Sequence, residues 1–374
     1  MTIEDGLRLS VYFGERDRDD GGLLADALID LFARHRLRTS ALLRGIEGFG
    51  IKHRLQSERL LTLSEDLPLV ALALDTTPRI EAVLEEVRTL ARHGLITLER
   101  ARLLSGAGPV ALSPDAALSP DAVLAPLPAS ADIKLTIHLA RQARVAGRPA
   151  YLAAVECLHR HGVAGASALL GLDGTAQGVR QRARFFARNA QVPLLIQSVG
   201  ERTAIERAVG ELSEMLSEPA MTLERVRVCK RDGALLAEPL VPPAIDAEGR
   251  AYWQKLVVYA SEQSRHGHQP LHSALVRRLR AEGAAGATAL RGLWGYHGDH
   301  RPHGERFWSI RRHVPALTVL VDTPANMSRW FEIVDELTRE TGLVTSEIVP
   351  ALRAAGPGIE HGGLDLAQPH GVEE

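Results

Sequence analysis

The sequence predicts an α+β protein made of three tandem copies of one small domain. The first observation is a stretch written three times. It reads Thr39-Ser40-Ala41-Leu42-Leu43-Arg44-Gly45-Ile46-Glu47-Gly48-Phe49-Gly50, then Gly165-Ala166-Ser167-Ala168-Leu169-Leu170-Gly171-Leu172-Asp173-Gly174-Thr175, then Gly286-Ala287-Thr288-Ala289-Leu290-Arg291-Gly292-Leu293-Trp294-Gly295-Tyr296. Each is a small-residue, strand-like run ending in Gly-x-x-Gly. The second observation is the spacing of roughly 120 residues, which suits whole domains and is far too long for a solenoid repeat. The third is that strand and helix patterns surround each copy in the same order.

In the first copy Leu7, Leu9 and Val11 alternate with Arg8, Ser10 and Tyr12, a period-2 strand ending at Gly14. Over 23–35, Leu24, Ala27, Leu28, Leu31 and Phe32 share one helical face. Residues 38–46 form the second strand, which enters the glycine motif. A basic, polar arm follows from Ile51, and then a strand pair, 60–63 and 69–74. Pro78 opens a second helix, where proline costs little; it carries Ile80, Val83, Leu84, Val87 and Leu90 inward and ends near Gly94. Residues 98–104 close the unit.

The second copy repeats this with strand 134–139, helix 150–161, an arm, Pro193 and strand 194–199, helix 203–216 and strand 223–229. The third has strand 255–259, helix 271–281, an arm, Pro315 and strand 317–322, helix 325–341 and strand 344–352. The boundaries are 1–105, 132–231 and 252–353, with linkers at 106–131 and 232–251. The first linker is rich in Ala, Pro and Ser and the second contains Pro239, Pro242 and Pro243. The glycine- and proline-rich tail 354–374 is expected to lack structure.

Strand-helix-strand-strand-helix-strand is the ferredoxin-like order, two helices on one face of an antiparallel sheet. The other face must be covered, or its apolar residues stay wet. Three linked copies meet that need by closing a pseudo-trimer inside one chain, sheets inward and helices outward. Three beads on flexible linkers are the alternative.

Composition is that of a soluble globular protein, with 45% hydrophobic and 24% charged residues. The net charge of -2 gives no field for nucleic acid or an anionic membrane. No apolar run is long enough to span a bilayer, and the N-terminus lacks a signal-peptide pattern. Cys157 and Cys229 read as reduced buried thiols, and a cytoplasmic location is the expectation. No Gly-x-Ser-x-Gly elbow, Walker loop or His-Glu-x-x-His motif points to an enzyme.

The run from Leu42 to Gly50, followed by Leu61-Thr62-Leu63-Ser64-Glu65-Asp66-Leu67-Pro68 and Gly94-Leu95-Ile96-Thr97-Leu98-Glu99, resembles the PII-like family known as domain of unknown function 190. The third copy keeps Leu290-Arg291-Gly292-Leu293-Trp294-Gly295, Pro315 and Gly342-Leu343-Val344-Thr345, whereas the second has Leu170 for the arginine and Thr175-Ala176 for Phe49-Gly50. The resemblance implies trimers of ferredoxin-like units that hold a nucleotide or other small anion between units. It also implies a mobile arm that regulates a partner, often a transporter, with no catalytic residue. No cofactor follows from it, and a fused chain is expected to be a monomer.

The candidate anion site starts from Gly45, Gly48, Phe49 and Gly50, whose backbone N–H groups could cradle a phosphate or whose glycines could only end a strand in a positive-φ turn. Arg44, Lys52, His53, Arg54 and Arg59 supply charge, as solvated loop residues also do. Arg291, Gly292, Gly295 and Tyr296 are the third copy's counterparts. Arg100 and Arg102, with Arg225 and Arg227, alternate along closing strands; the resemblance implies that such residues meet phosphates across the cleft, and an ordinary strand edge has the same spacing. Unit 3 shows Glu347 and Val349 there instead.

Unit 3 has its own concentration of His266, His268, His272, His297, His300 and His303, and the tryptophans Trp253, Trp294, Trp308 and Trp330, which read as packing residues. His268 and His272, at i and i+4, suit one helical face, and Asp299, His300 and His303 are candidate metal ligands. The alternative functions are therefore a divalent-metal binder using this cluster and a scaffold with no ligand.

Overall fold

The computed structural model describes residues 1–50, 54–58, 66–106, 132–176, 179–180, 192–217, 219–298, 300–304, 314–356 and 358–368. Unit 1 comprises β1 (Thr2–Gly14), α1 (Leu24–Arg34), β2 (Thr39–Phe49), β3 (Pro68–Thr76), α2 (Thr77–Glu81), α3 (Leu84–Leu90) and β4 (Gly94–Ser105). All pairings are antiparallel, in the order β2-β3-β1-β4. The single second helix expected here is divided, because Val83 N–H turns to the carbonyl of Ile80, three residues back, and interrupts the α ladder.

Unit 2 comprises β5 (Asp132–Ala140), α4 (Ala150–Arg160), β6 (Gly165–Leu170), β7 (Asp173–Ala176), β8 (Pro193–Glu201), α5 (Arg202–Met215), β9 (Ala220–Arg225) and β10 (Arg227–Arg231). Its sheet runs β6-β8-β5-β9. Unit 3 comprises β11 (Trp253–Ser261), α6 (Leu271–Ala281), β12 (Ala287–Arg291), β13 (Trp294–His297), β14 (Pro315–Asp322), α7 (Pro324–Leu337) and β15 (Leu343–Val349), with sheet order β12-β14-β11-β15. None of the helices has a side-chain N-cap bond. Their stability comes from burying one face against the sheet, and each unit has its own core of that kind.

Backbone pairing joins the units in two closed circuits. In the first, β7 of unit 2 pairs with Thr39–Leu42 of β2 in unit 1. The far half of β2, Gly45–Phe49, pairs with β12 of unit 3 across a bulge. β13 of unit 3 then pairs with β6 of unit 2. The second circuit uses the closing strands: β4 with β9, β10 with β15, and β16 (Ala351–Gly356) back onto β4. A fourth apolar cluster, including Leu43, Leu72, Leu169, Leu195, Tyr259 and Leu317, draws on all three units. The beads-on-linkers alternative does not survive these pairings.

The tail is also a correction. β16 and β17 (Ile359–Gly363) form a hairpin, and Ala367 N–H donates to Pro350 O. The exposed edge of β4 supplies the ladder that the tail's composition alone gave no reason to expect. Linker residues 107–131 lie outside the described residues. In the second linker Ala234–Leu235 pairs back onto β10, and Ile245 bridges Ala251.

The Gly-x-x-Gly motif is what lets the first circuit close. A Cβ on Gly45 would stand 2.6 Å from Pro68 Cγ, and one on Gly48 2.8 Å from Ala287 O. At the matching place in unit 3, a Cβ on Gly295 would overlap the carbonyl oxygen of Ala166 in unit 2 and press on Pro315 Cγ at 2.8 Å. The obstacle is backbone and cannot rotate away. Gly295→Ala should therefore cost about 1–3 kcal/mol as overpacking, seen as a lower melting temperature. Gly50→Ala, with open space around it, should stay within about 0.5 kcal/mol of the parent.

Candidate functional site

At the seam between units 1 and 3 the glycine motif of unit 1 is strand, not loop. Glu47 and Gly48 face Ser57 and Gln56 on one edge and Ala289 and Thr288 on the other. None of Gly45, Gly48, Gly50, Gly292 or Gly295 has a positive φ. The positive-φ turn expected there is thus corrected, and so is the phosphate cradle at Gly45, Gly48 and Phe49, which lie within the sheet ladders.

Two further candidates prove to be plugs. Phe49 is buried in the helix-side core of unit 3, among residues such as Leu271 and Leu275. Its counterpart Tyr296 is buried in the core of unit 2, edge-on to His159 at 4.9 Å, with its hydroxyl donating to Val163 O at 2.9 Å. Thr175, the third counterpart, is buried against unit 1, where its hydroxyl lies 3.0 Å from Ser40 Oγ. Each copy thus hands a side chain to its neighbour. Neither aromatic ring is available to a ligand.

The basic candidates divide by place. Arg44 and Arg291 flank the Gly45–Leu290 pairing: Arg44 meets Glu15 at 2.9 Å, and Arg291 reaches Glu58 at 2.9 Å and Glu262 at 2.6 Å. Arg54 is exposed just before the Gln56–Ser57 strand, and Arg277 of α6 binds buried Glu47 at 3.2 Å. Arg44, Arg277 and Arg291 thus border the rim where β2 pairs with β12. Lys52, His53 and Arg59 lie outside the described residues. At the seam between units 2 and 1, Arg180 bonds Asp173, Asp26 and Asp30. Trp294 occupies the matching position in the third seam and packs on the core of unit 2.

Arg100 and Arg102 do not join that rim. Arg100 donates to Ala367 O at 2.6 Å, and Arg102 is buried against Asp5 at 2.8 Å. Arg225 is exposed on β9, and Arg227 donates to Glu238 O at 3.2 Å. The sheet register also corrects the alignment of unit 3. Arg8 opposes Glu99, Lys134 opposes Glu224 and Lys255 opposes Glu347. Glu347 therefore matches the glutamates, and Ile348 and Pro350 stand where the arginine pair would be.

Those six residues form a buried ring of charge where the three sheets meet. Lys134 Nζ lies 2.7 Å from Glu224, 2.5 Å from Glu347 and 3.8 Å from Glu99. Lys255 meets Glu347 at 2.7 Å and also Glu99, and Arg8 meets Glu224 at 3.2 Å. The three carboxylates are each 4% exposed. Burial alone would push Glu99 up, but Lys255, Lys134 and Arg8 outweigh it and hold the carboxyl well below its ordinary range. Glu347 is lowered against its own burial by Lys134 and Lys255. Next to this ring, Tyr12 is pushed up to about 12, chiefly by burial, and His138 is pushed down to about 3 by burial and Arg8. Two cavities here, about 20 and 10 Å³, have room for single waters and not for a nucleotide. With three cations facing three anions, the ring has no charge left to offer a metal.

The histidines of unit 3 separate. His268 lies in the loop before α6, which begins at Leu271, so the helical pairing with His272 is corrected. Asp299 lies outside the described residues, and His303 keeps Nδ1 2.9 Å from Arg301 O. His300 instead meets His297 and Asp232, the ligand atoms of the three all lying within 4.8 Å of one another. Burial and His300, opposed by Asp232, bring His297 down to about 4. Another grouping, Cys157, His161 and Glu211, is of a different kind. Burial raises the Cys157 thiol to about 12, and Glu211 is engaged by Arg160 and His161.

No helix of the described residues is long and apolar enough to cross a membrane. One family model, DUF190, described as an uncharacterized ACR, matches residues 6–103, 132–228 and 253–351.

Proposed function

The chain belongs to the DUF190 family, whose model it matches three times, and from that premise we propose that it is a PII-like regulatory protein. Three ferredoxin-like units act as a single-chain pseudo-trimer without catalysis. A small anionic ligand, a nucleotide or a smaller oxyanion, binds at the rim between units 1 and 3, beside the point where the arm of unit 1 begins. The protein passes occupancy to a partner, of which an ion transporter is one example. The strand order β2-β3-β1-β4, repeated in all three units, supports the ferredoxin-like reading.

The observation that carries the proposal is where that arm is rooted. It leaves from Phe49, seated in unit 3, and returns at Pro68 in unit 1, with Arg44, Arg277 and Arg291 bordering its point of departure. A ligand that draws Arg291 from Glu58, or Arg44 from Glu15, gives up exposed ion pairs worth about 0–1 kcal/mol each. Rearranging these contacts changes the arm, and with it the surface shown to a partner.

Thermal-shift measurements with adenine nucleotides, cyclic dinucleotides, bicarbonate and fluoride test this. At about one hundred times Kd a ligand stabilises by about 2.7 kcal/mol, a rise of several degrees. Arg54→Ala and Arg291→Ala should each weaken the effective anion at least tenfold. Flat melting curves with every anion would leave the scaffold reading in its place.

A further inference from the structure

We propose that Asp232, His297 and His300 form a binding site for a divalent transition ion, Zn²⁺ first among them, at the seam between units 2 and 3. Two imidazoles and a carboxylate are a donor set for zinc, and three protein ligands leave a fourth position for water. Magnesium and calcium favour all-oxygen shells and are poor matches. The site stands apart from the anion rim and does not depend on it.

The geometry argues for a built site. His297 is buried, and its Nδ1 has no hydrogen-bond partner among the described residues, an unusual condition for a polar atom shielded from water. That nitrogen stands 3.7 Å from Asp232 Oδ1. Ligands around a tetrahedral zinc with bonds of about 2.0–2.1 Å are separated by about 3.3 Å, so this pair needs to close by a few tenths of an ångström. His300, whose ligand atom lies within 4.8 Å of both, moves in to complete the set. The rings of His297 and His300 have their centroids 5.0 Å apart and are steeply inclined, which leaves room to converge on one ion. Asp232 and His300 are open to solvent, giving an entry path.

Both sides of the site are held by their backbones. Asp232 and Gly233 are the two loop residues between Arg231 and Ala234, and both have positive φ, 49° and 84°, the two-residue turn for which Asp-Gly is suited. Lys230, just before the turn, is anchored on α7 through Asp335 at 2.6 Å and the Thr338 carbonyl at 3.2 Å. Asp232 N–H donates to Gly342 O at 2.9 Å. Opposite it, His297 pairs with Gly165, and Gly298 N–H donates to Ala164 O at 2.8 Å. Gly298 has φ 58°, and a Cβ there would overlap the Asp232 carboxylate. The turn, the strand end and this glycine together deliver the three ligands from two units.

The test is titration of the full-length, chelator-stripped protein with Zn²⁺ in competition with a chromophoric chelator, with Co²⁺ as an optical probe. The expectation is one tight equivalent per chain and a Co²⁺ spectrum of low coordination number. Asp232→Asn, which tolerates positive φ, and His300→Ala, on an exposed side chain, should each weaken binding at least tenfold and abolish that spectrum. His268→Ala should leave both intact. Circular dichroism and melting in chelator show whether the variants remain folded. Absence of a tight equivalent, or unchanged affinity in folded Asp232→Asn and His300→Ala, would overturn the proposal.

Discussion

Replacing Lys134 with methionine should destabilise the whole protein by about 3–5 kcal/mol, the cost of leaving a buried charge uncompensated. Lys134 is 2% exposed and touches a glutamate from each of the three units. Its removal leaves Glu99, Glu224 and Glu347 with only Arg8 and Lys255. Because the ring joins all units, the loss should shift the entire unfolding curve, not one segment of it. Lys134→Met with Glu224→Leu removes one charge of each sign, and should cost less than the sum of the two single changes. Chemical unfolding followed by circular dichroism measures all four proteins. A loss under about 1 kcal/mol for Lys134→Met, or strict additivity in the double variant, would mean that the ring does not hold the units together.

The same ring sets a pH dependence with a definite sign. Glu99 and Glu347 have folded-state values below the ordinary glutamate value of about 4.3. In that lower range the unfolded chain binds protons that the folded chain does not. Their contribution is present above about pH 4.5 and is lost as pH falls toward their folded values. Glu347→Gln should therefore flatten stability against pH below about 4.5. An unchanged slope would assign acid sensitivity to other carboxylates.

The repeat and most elements were legible in the residues, because two-residue and helical periodicities are local. The closed ring was expected over separate beads only because each sheet's second face needed cover. The charge ring was not. Alternation correctly places Arg8, Ser10 and Tyr12 on one face of β1, but it does not say whether that face meets water or two other sheets. Only superposing the three copies reveals that a cation recurs at Arg8, Lys134 and Lys255, with a glutamate opposite each. The glycine motif misled for a related reason: a strand that crosses to another unit looks, by itself, like a strand that ends. His300 was within reach as a candidate, whereas Asp232, from the hairpin after unit 2, became its neighbour only through the fold. The tail's glycines suggested disorder because the open edge of β4 lies in no local pattern.

Phe49→Ala should be comparably damaging, about 3–5 kcal/mol for truncating a buried phenylalanine, and its location is the more telling result. Phe49 belongs by sequence to unit 1, yet its ring fills the core beneath α6 and α7 of unit 3. A protein of three self-sufficient domains would lose protection around the mutated residue's own helices, α1 to α3. Here hydrogen exchange should instead accelerate first in α6 and in β12, whose ladder with β2 runs through Phe49 and Ala287. α4 and α5 rest on a core plugged by Tyr296 and should remain protected until global unfolding. Exchange confined to unit 1 would refute the handing-on of side chains around the ring. The expected pattern would mean that unit 3 excised alone lacks a piece of its core, because Phe49 of unit 1 completes it as Tyr296 of unit 3 completes the core of unit 2.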